Sequence, residues 1–262
     1  MAPDAVPAIQ FKGVFKRLGG RNVLDGLDLT VPAGETFVII GRSGTGKSVS
    51  LKHMVGLMTP DAGEVYVEGE RLVQDDPGAL DAVRTKFGVL FQSGALLNSL
   101  SVAENVALPL REHSALPEEE IQRIVREKLA LVELTAAGDA MPDALSGGMR
   151  KRVGLARAIV REPRIILYDE PTSGLDPVMS NVINHLIINL KRRLHVTSVV
   201  VTHDMASAYL IADRIALIDK GRIVQEGTPK EILQTKDASV RQFIDGNIHG
   251  PFTVESTVGG QN

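Results

Sequence analysis

The chain of 262 residues contains no cysteine. This absence excludes disulfides, thiolate metal sites and catalysis by a thiol, and it fits a cytosolic location. Long apolar runs are also missing, since no stretch approaches the roughly 18 consecutive apolar residues that a membrane span needs. The first residues, MAPDAVPAIQ, have neither a basic n-region nor an apolar h-region, so we expect no signal peptide. The sequence therefore predicts a protein that does not cross a bilayer, although it can dock on one that does.

An excess of positive charge is missing as well. With 29 Lys and Arg against 32 Asp and Glu, the formal net charge is −3, which gives no global basic field suited to nucleic acid. We therefore expect no nucleic-acid partner. The apolar fraction of 44% is ordinary for a soluble globular protein, and the length allows one large or two small domains with a substantial core.

Hydrophobic patterning divides the chain into three parts. The first alternates as strands do and includes the apolar run FVII at 37–40, which is typical of a strand buried on both faces. The middle part, from about Val102 to Ile159, has helical periodicity. The last part returns to short β-branched runs separated by helical stretches. This order predicts an α/β fold in which a parallel sheet with crossover helices lies beside an antiparallel β-layer.

The stretch GRSGTGKS at 41–48 matches the pattern of a phosphate-binding loop, and a buried-type strand precedes it and a helix from Val49 to Gly56 follows it. Glycines let the backbone curl so that its N–H groups point at phosphate oxygens. We expect Lys47 to reach the β- and γ-phosphates and Ser48 to ligate Mg²⁺. A glycine-rich structural turn is the competing interpretation, and the strand and helix disfavour it. The predicted ATP-binding residues here are Gly41, Arg42, Ser43, Gly44, Thr45, Gly46, Lys47 and Ser48.

Two adjacent carboxylates, Asp169 and Glu170, end the buried-type strand in RIILYDEP. Carboxylates in such a place are costly unless they have a function, and ligands of parallel sheets bind at the carboxyl ends of strands. We expect Asp169 to hold Mg²⁺ through its water shell and Glu170 to polarise the attacking water. The alternative is an acidic cap at the strand end.

Together with four further motifs, these stretches resemble the nucleotide-binding subunit of an ABC transporter. The motifs follow the family's order, and the resemblance covers nearly the whole chain up to about residue 235. It implies a P-loop NTPase core of the RecA-like type, with an antiparallel β-subdomain and an inserted α-helical subdomain. The implied boundaries are 1–92 and 161–235 for the core with its β-subdomain, 93–160 for the helical subdomain, and 236–262 for a tail. The further motifs are the Q-loop LFQSG with Gln92, the signature LSGGM at 145–149, the D-loop SGLD at 173–176 and the switch histidine His203 in VTHD.

The resemblance also implies ATP and Mg²⁺ as cofactors and a homodimer in which two ATPs lie between the subunits. The signature of one subunit, which opens a helix, closes on the ATP held by the other, and hydrolysis lets the dimer open. The implied catalytic residues are Glu170, His203 and Gln92, and the implied metal ligands are Ser48, Gln92 and Asp169. The implied contacts in trans are Ser146, Gly147, Gly148 and Met149, with Asp176 organising the interface.

One position departs from the family pattern. Members usually place an aromatic residue, which stacks on adenine, where Leu18 stands in VFKRLGG. Phe15 is the nearby aromatic substitute, so the sequence leaves open whether Phe15 or Leu18 contacts the base.

The residue after LSGG narrows the resemblance. Most members have glutamine there, whereas Met149 cannot make a glutamine's polar contacts. LSGGM, together with VLFQSGALLNSLSVAENV and RQFIDGNIHGP, resembles the ATPases of Mce/Mla phospholipid transport systems. This implies a peripheral protein on the cytoplasmic face of the bacterial inner membrane, which powers phospholipid movement between inner and outer membranes. The implied partners are an integral-membrane permease, an Mce-domain protein and a STAS-domain regulator.

Two segments suit such partners. The stretch SGALLNS at 93–99 is small and then apolar, which suits a groove for a cytosolic helix of the permease. The segment 240–252 holds apolar residues that suit a partner subunit, and the alternative is a weakly ordered tail. Its apolar residues are Val240, Phe243, Ile244 and Phe252.

Three other functions stay open at this point. An importer of small solutes shares every core motif, and only Met149 and the tail argue against it. A soluble ABC ATPase of translation or DNA repair commonly has two cassettes, zinc-binding cysteines or long coiled coils, none of which this sequence has. A nucleotide-dependent regulator without turnover is disfavoured by Glu170 and His203.

Overall fold

The computed structural model describes residues 6–73, 76–247 and 250–251. Within these ranges, ten strands form two sheets and nine α-helices surround them. The strands are β1 (Ile9–Leu18), β2 (Arg21–Val31), β3 (Thr36–Ile40), β4 (Ala62–Val67), β5 (Glu70–Arg71), β6 (Phe87–Leu90), β7 (Ile165–Asp169), β8 (Thr197–Thr202), β9 (Arg214–Asp219) and β10 (Arg222–Gly227). The helices are α1 (Lys47–Met54), α2 (Pro77–Arg84), α3 (Val102–His113), α4 (Glu118–Leu131), α5 (Gly147–Ile159), α6 (Pro177–Leu194), α7 (Met205–Ile211), α8 (Pro229–Leu233) and α9 (Ala238–Asp245).

The central sheet has the strand order β10-β9-β3-β8-β7-β6, and all of its neighbours are parallel except the antiparallel pair β9–β10. Ile40 pairs with Thr202, and Asp169 pairs with Val201, so these strands end at nearly the same level. The loops that follow β3, β6, β7 and β8 therefore emerge at one edge of the sheet, where ligands of open parallel sheets bind.

The strands of this sheet are buried on both faces. Val38 and Ile40 pack into a cluster shared with helices α3 to α6, whereas Phe37 and Ile39 pack into a second cluster shared with the other sheet. Each of these four side chains is at most 1% exposed. The continuous apolar run in the sequence thus follows from a strand with two covered faces, and each such side chain contributes about 1.5–3 kcal/mol on burial.

The second sheet is antiparallel, with the order β2-β1-β4-β5. It is joined to the central sheet at the β9–β10 turn, where the N–H of Asp25 donates to the carbonyl of Gly221 at 3.1 Å and Arg222 forms an ion pair with Asp25. Gly221 has a φ of +74°, and a Cβ there would lie 2.7 Å from the carbonyl oxygen of Val23. Only glycine permits this approach, which holds strand β2 of the antiparallel sheet against the β9–β10 turn of the central sheet.

Helices α3, α4 and α5 form the helical part between β6 and β7. Helix α3 begins with a capping box of Ser101 and Glu104. The buried Asn105 side chain then fixes the preceding loop by donating to the carbonyls of Leu97, Leu100 and Ser101 at 2.9–3.0 Å. Helix α5 lies closest to the sheet, so its position is set by the core.

The predicted α/β fold, a parallel sheet beside an antiparallel β-layer, is confirmed. Two details differ. The helix after the phosphate loop begins at Lys47, two residues before the predicted Val49, because Gly46 already provides the left-handed cap at φ 106°.

The described part of the C-terminal tail contains α9, and Val240 is fully buried in the core cluster with Phe243 and Ile244 packed beside it. The Val240 side chain is therefore used by this chain's own core and not by a partner, and Phe252 lies outside the described residues.

In the part of the chain that the structure describes, we find no helix that combines the length and the apolar character of a membrane span.

Candidate active site

An open cavity of about 690 Å³ lies at the carboxyl edge of the central sheet. Its volume is in the range of ordinary ligand pockets. The cavity brings together residues from the loops after β3, β6, β7 and β8, which are far apart in the sequence. The lining residues are Leu18, Val23, Arg42, Ser43, Gly44, Gly46, Lys47, Ser48, Val49, Gln92, Glu170 and His203.

The phosphate loop has the backbone that its glycines predict. Gly44 and Gly46 have φ values of +80° and +106°, which are unfavourable for other residues. A Cβ on Gly46 would also lie 2.7 Å from the carbonyl of Val23. The glycines therefore allow both the curl of the loop and its contact with strand β2.

The Lys47 ammonium lies inside this curl. Its Nζ donates to the carbonyls of Gly41 at 2.7 Å and Arg42 at 2.9 Å. Burial lowers the pKa of Lys47, and the negative charges of Glu170 and Asp169 oppose that shift. The loop thus holds a positive charge among backbone N–H groups at the start of α1, which is an arrangement that attracts phosphate.

Ser48 and Asp169 join the phosphate loop to strand β7. The Ser48 hydroxyl donates to Oδ1 of Asp169 at 2.9 Å. Burial raises the pKa of Asp169, and the hydrogen bond from Ser48 opposes this rise by stabilising the carboxylate. Two oxygen ligands of the kind that Mg²⁺ prefers therefore meet beside the cavity.

Glu170 is oriented by two hydrogen-bond donors from the end of β8, and the His203 imidazole lies beside it. Its Oε2 accepts from the Thr202 hydroxyl at 3.2 Å and the His203 backbone N–H at 3.4 Å, and Nδ1 of His203 lies 2.9 Å away. Glu170 itself has a φ of +47°, in the left-handed region that few side chains occupy. A strained residue that faces a cavity is a feature found at functional sites.

Gln92 and Asp176 are held in different ways. The Gln92 side chain donates to the Ser173 hydroxyl at 3.3 Å, so the loop after β6 contacts the loop after β7. Asp176 caps α6, where its Oδ1 accepts from the N–H groups of Val178 at 2.9 Å and Met179 at 3.0 Å.

The predicted signature residues open helix α5, as expected. Ser146 is the N-cap, and its hydroxyl accepts from the N–H of Met149 at 3.3 Å. Gly148 lies against Met179, because a Cβ there would be 2.5 Å from the Met179 methyl carbon. Among the described residues, none of 145–149 lines the cavity of the phosphate loop. The structure therefore brings the phosphate loop, Gln92, Glu170 and His203 to one cavity. Gly147 of the signature instead lines a separate cavity beside the D-loop, where a Cβ on Gly147 would lie 3.6 Å from Leu175.

Leu18 at the end of β1 and Val23 in β2 are among the residues that line the cavity. Phe15 is not one of its lining residues, and its ring packs against Gly26, where a Cβ would lie 3.0 Å from Phe15 Cζ. The geometry thus favours Leu18 over Phe15 as the neighbour of a bound base.

Sequence reasoning missed two cations on α5, the buried Lys151 and the half-buried Arg157. Lys151 Nζ donates to the carbonyls of Glu170 at 3.2 Å, Pro171 at 2.8 Å and Ser173 at 2.6 Å. Arg157 donates to the carbonyls of Gly94 at 2.9 Å and Ala95 at 2.8 Å. A charge run such as RKR is typical of a solvated face. The available signal was the four-residue spacing of Lys151 from the apolar Leu155, which places both on one face of the helix.

A phosphate loop at the carboxyl edge of a parallel sheet, with carboxylates from another strand beside it, defines a P-loop nucleoside triphosphatase. Residues 24–173 match the sequence model of the family described as ABC transporter. The chain is 42% identical over 251 residues to the intermembrane phospholipid transport system ATP-binding protein MlaF of Escherichia coli (strain K12), covering 96% of this chain and 93% of that protein. It is 44% identical over 245 residues to the probable ribonucleotide transport ATP-binding protein mkl of Mycobacterium tuberculosis, covering 93% and 68%.

Solved structures agree with this assignment. The cbiO1 protein of Clostridium perfringens, part of the ABC transporter complex cbiONQ, superposes with a TM-score of 0.81 at 27% identity, covering 88% of this chain and 92% of that one. The ATP-binding cassette MJ0796, in a dimeric post-hydrolysis state bound to ADP and Pi, has a TM-score of 0.77 at 34% identity, covering 84% and 98%. The chain therefore belongs to the ABC transporter family as an ATP-hydrolysing cassette.

Proposed function

We propose that this chain is the ATPase subunit of a transporter that moves phospholipids between the inner and outer membranes of a bacterium. The observation that carries the proposal is the 42% identity to MlaF proteins over 93–96% of this chain. The oriented Glu170, the buried Lys47 and the exposed His203 supply the groups that turnover requires, which argues against a regulator without hydrolysis.

In this proposal ATP occupies the cavity of the phosphate loop. The loop N–H groups and Lys47 bind the phosphates, with Leu18 and Val23 beside the base. Glu170 accepts a proton from the attacking water, and the hydrogen bonds from Thr202 and the His203 backbone keep the carboxylate in place for that step. His203 contacts the γ-phosphate and Gln92 the attacking water.

The side chains beside the phosphate loop fit a magnesium ion. Ser48 and Asp169 present hard oxygen donors that already meet at 2.9 Å, and Gln92 adds an amide oxygen on the same cavity. The described residues contain no group of three or more His, Cys, Asp or Glu side chains suited to a metal, which agrees with an ion held partly by phosphate and water. Ser48, Gln92 and Asp169 would hold the ion, and its charge would stabilise the negative charge on the transferred phosphoryl group.

The chain acts as a homodimer in this proposal. The signature residues that open α5 do not line the phosphate-loop cavity of their own chain, which supports completion of the site by a second chain. Ser146, Gly147, Gly148 and Met149 then face the partner's ATP, and Asp176 lies at the interface. The dimeric form of the relative MJ0796 supports this arrangement.

The proposed setting is the cytoplasmic face of the inner membrane. We assign 1–92 and 161–235 to the ATP-binding core with its β-subdomain, 93–160 to the helical subdomain and 236–262 to the tail. The partners are an integral-membrane permease, an Mce-domain protein and a STAS-domain regulator. The exposed Phe91 precedes the loop at 93–99 and the exposed Leu97 lies within it, and both suit contact with a helix of the permease.

A second candidate is the ATPase of a small-solute transporter. It is favoured by the 44% identity to the mycobacterial mkl proteins, which are described as probable ribonucleotide transport ATP-binding proteins. Both candidates use the same hydrolytic site and differ only in the cargo of the membrane partner.

The decisive experiment is co-purification of the tagged full-length chain from membranes of its own host, with mass spectrometry of proteins and lipids. We expect a permease, an Mce-domain protein and bound phospholipid. The purified complex is then tested for ATP-driven lipid transfer. A matched complex that carries Lys47→Ala, which cannot bind ATP, shows how much lipid is retained or transferred without ATP binding. Recovery of a solute permease without phospholipid would refute the lipid function and favour the second candidate.

A further inference from the structure

One ammonium group organises the backbone that follows the catalytic carboxylate. The carbonyls of Glu170, Pro171 and Ser173 converge on Nζ of Lys151 at 3.2, 2.8 and 2.6 Å. An ammonium has three N–H donors, so these three acceptors use all of them. Lys151 thereby fixes the turn between strand β7 and the D-loop.

Burial of the Lys151 ammonium costs desolvation free energy. Lys151 is only 5% exposed, and no carboxylate of the described residues forms an ion pair with it. Burial lowers the pKa of Lys151, and the charge of Glu170 partly opposes this shift. A buried charge that is stabilised by carbonyls alone depends on their positions, so the helix that carries it and the turn that surrounds it move together.

Glu170 belongs to this turn. Its own carbonyl is one of the three acceptors, and its φ of +47° is a conformation that the surrounding contacts have to maintain. Loss of the ammonium would release the peptide that follows Glu170, and with it the orientation of the carboxylate towards His203.

The same helix holds the loop after β6. Arg157 donates to the carbonyls of Gly94 and Ala95, and Gly154 brings the helix so close that a Cβ would lie 3.0 Å from the Gly94 oxygen. The hydrogen bond from Gln92 to Ser173 directly connects the loop after β6 with the loop after β7. Helix α5 therefore contacts both catalytic loops behind the cavity while its first turn carries the signature.

We propose that Lys151 is a positioning residue that transmits the position of the signature helix to Glu170 and the D-loop of its own chain. The inference rests on the proposed dimer, in which that signature engages the partner's ATP. Binding of ATP to one chain then sets the catalytic carboxylate of the other, so the two sites hydrolyse in a coupled manner.

The first test compares the full-length wild type with Lys151→Met, Lys151→Gln and Lys151→Arg. For Lys151→Met we expect kcat for ATP to fall about 10- to 100-fold, since a small misplacement of a catalytic group has effects of this size. We expect KM to change less than about 2-fold, because the phosphate loop is untouched. Lys151→Arg keeps a charged donor and restores part of kcat, and the Hill coefficient for ATP falls towards one in the Met variant.

Lys128→Met is the matched control. Lys128 is also buried, at 1% exposed, but it pairs with Glu127 and Glu162, neither of which lines the cavity of the phosphate loop. Its loss lowers stability without changing kcat or the Hill coefficient. If Lys151→Met does not fold, Lys151→Gln, which keeps two donors, gives the same comparison. Wild-type kcat and cooperativity in a folded Met or Gln variant would overturn the proposal.

The second test uses mixed dimers with two affinity tags. When Lys151→Met and Glu170→Gln are on the same chain, the other chain keeps an intact carboxylate and its own Lys151, so about half of the activity is expected. When each chain carries one substitution, both carboxylates are impaired and activity is lost. Equal activities, or the opposite order, would contradict action on the same chain. Failure of ATP to produce any dimer of the Glu170→Gln chain would instead refute the proposed homodimer.

Discussion

The imidazole Nδ1 of His203 lies 2.9 Å from Oε2 of Glu170, and both residues line the cavity that contains Lys47. The same oxygen accepts hydrogen bonds from Thr202 and from the His203 backbone. Strand β8 thus orients a carboxylate that strand β7 supplies, and the parallel pairing of the two strands makes this contact possible. A general base has to be positioned as well as basic, and this contact provides the positioning.

Replacement of Glu170 by glutamine is expected to preserve ATP binding and to lower hydrolysis about 10²- to 10⁴-fold, because the amide keeps the shape of the side chain but cannot accept the proton. The measurement is steady-state ATP turnover beside a nucleotide-binding titration. Lys47→Ala is the comparison variant, since it removes the phosphate-binding cation and should abolish binding itself. Near-wild-type turnover in Glu170→Gln would show that another group is the base.

Replacement of Leu18 by tyrosine is expected to tighten ATP binding about 5- to 10-fold. Leu18 lines the cavity, and an aromatic ring there can stack on the base with a gain of about 1 kcal/mol, at the low end of the range for base stacking because leucine already supplies an apolar contact. Phe15→Ala is the matched variant, and we expect it to leave the ATP dissociation constant unchanged because Phe15 packs against Gly26. If Phe15→Ala weakens ATP binding by a larger factor than Leu18→Tyr tightens it, the base contact belongs to Phe15.

Much of the site was predictable because each of its motifs is a short run of neighbouring residues, although the motifs themselves are far apart in the sequence. The curl at 41–48 is encoded by glycines whose φ values only glycine tolerates, and Asp169 and Glu170 end a strand whose apolar run identifies it. The order of the motifs then indicated which strand ends would meet. Because neighbouring strands of the central sheet are parallel, their carboxyl ends, which carry these motifs, lie at one edge of the sheet.

Other parts of the site depend on contacts that no local pattern encodes. Lys151 is part of a charge run, and its burial is visible only when α5 is packed against the turn after Glu170. The choice between Leu18 and Phe15 depends on register shifts in β1, which redirect side chains from one face to the other. The order of α9 depends on the core cavity that Val240 fills.

Replacement of Gly88 by alanine is expected to destabilise the fold by about 1–3 kcal/mol. A Cβ at this position in β6 would lie 2.2 Å from the carbonyl oxygen of Ala158, so α5 would have to move away from the sheet. Gly78→Ala on α2 is the control, because its nearest neighbour is 3.4 Å away, and we expect a change within about 0.5 kcal/mol. Urea unfolding measures both, and equal stabilities of the two variants would contradict the close approach of β6 and α5.

The ion pair between Lys128 and Glu162 predicts a pH-dependent contribution to stability. Burial alone would lower the pKa of Lys128, but its hydrogen bonds to Glu162 and Glu127 raise it above 10.5. The hydrogen bond from Lys128 lowers the pKa of Glu162 below 4.5. The contribution of Glu162 is therefore present above pH 4.5 and lost as the pH falls through its folded pKa, whereas that of Lys128 is lost only as the pH rises above 10.5.

Glu162→Gln should therefore lower the free energy of unfolding by about 1 kcal/mol near neutral pH, a modest value because the Glu162 side chain is 74% exposed. The difference from wild type should shrink towards zero in acid, where wild-type Glu162 is protonated as well. Glu133→Gln is a matched control, since Glu133 is an exposed glutamate with a similar positive φ of 58° and forms no ion pair within the described ranges. Urea unfolding at several pH values measures these differences, and a deficit of Glu162→Gln that persists unchanged into acid would show that its cause is not the charge of Glu162.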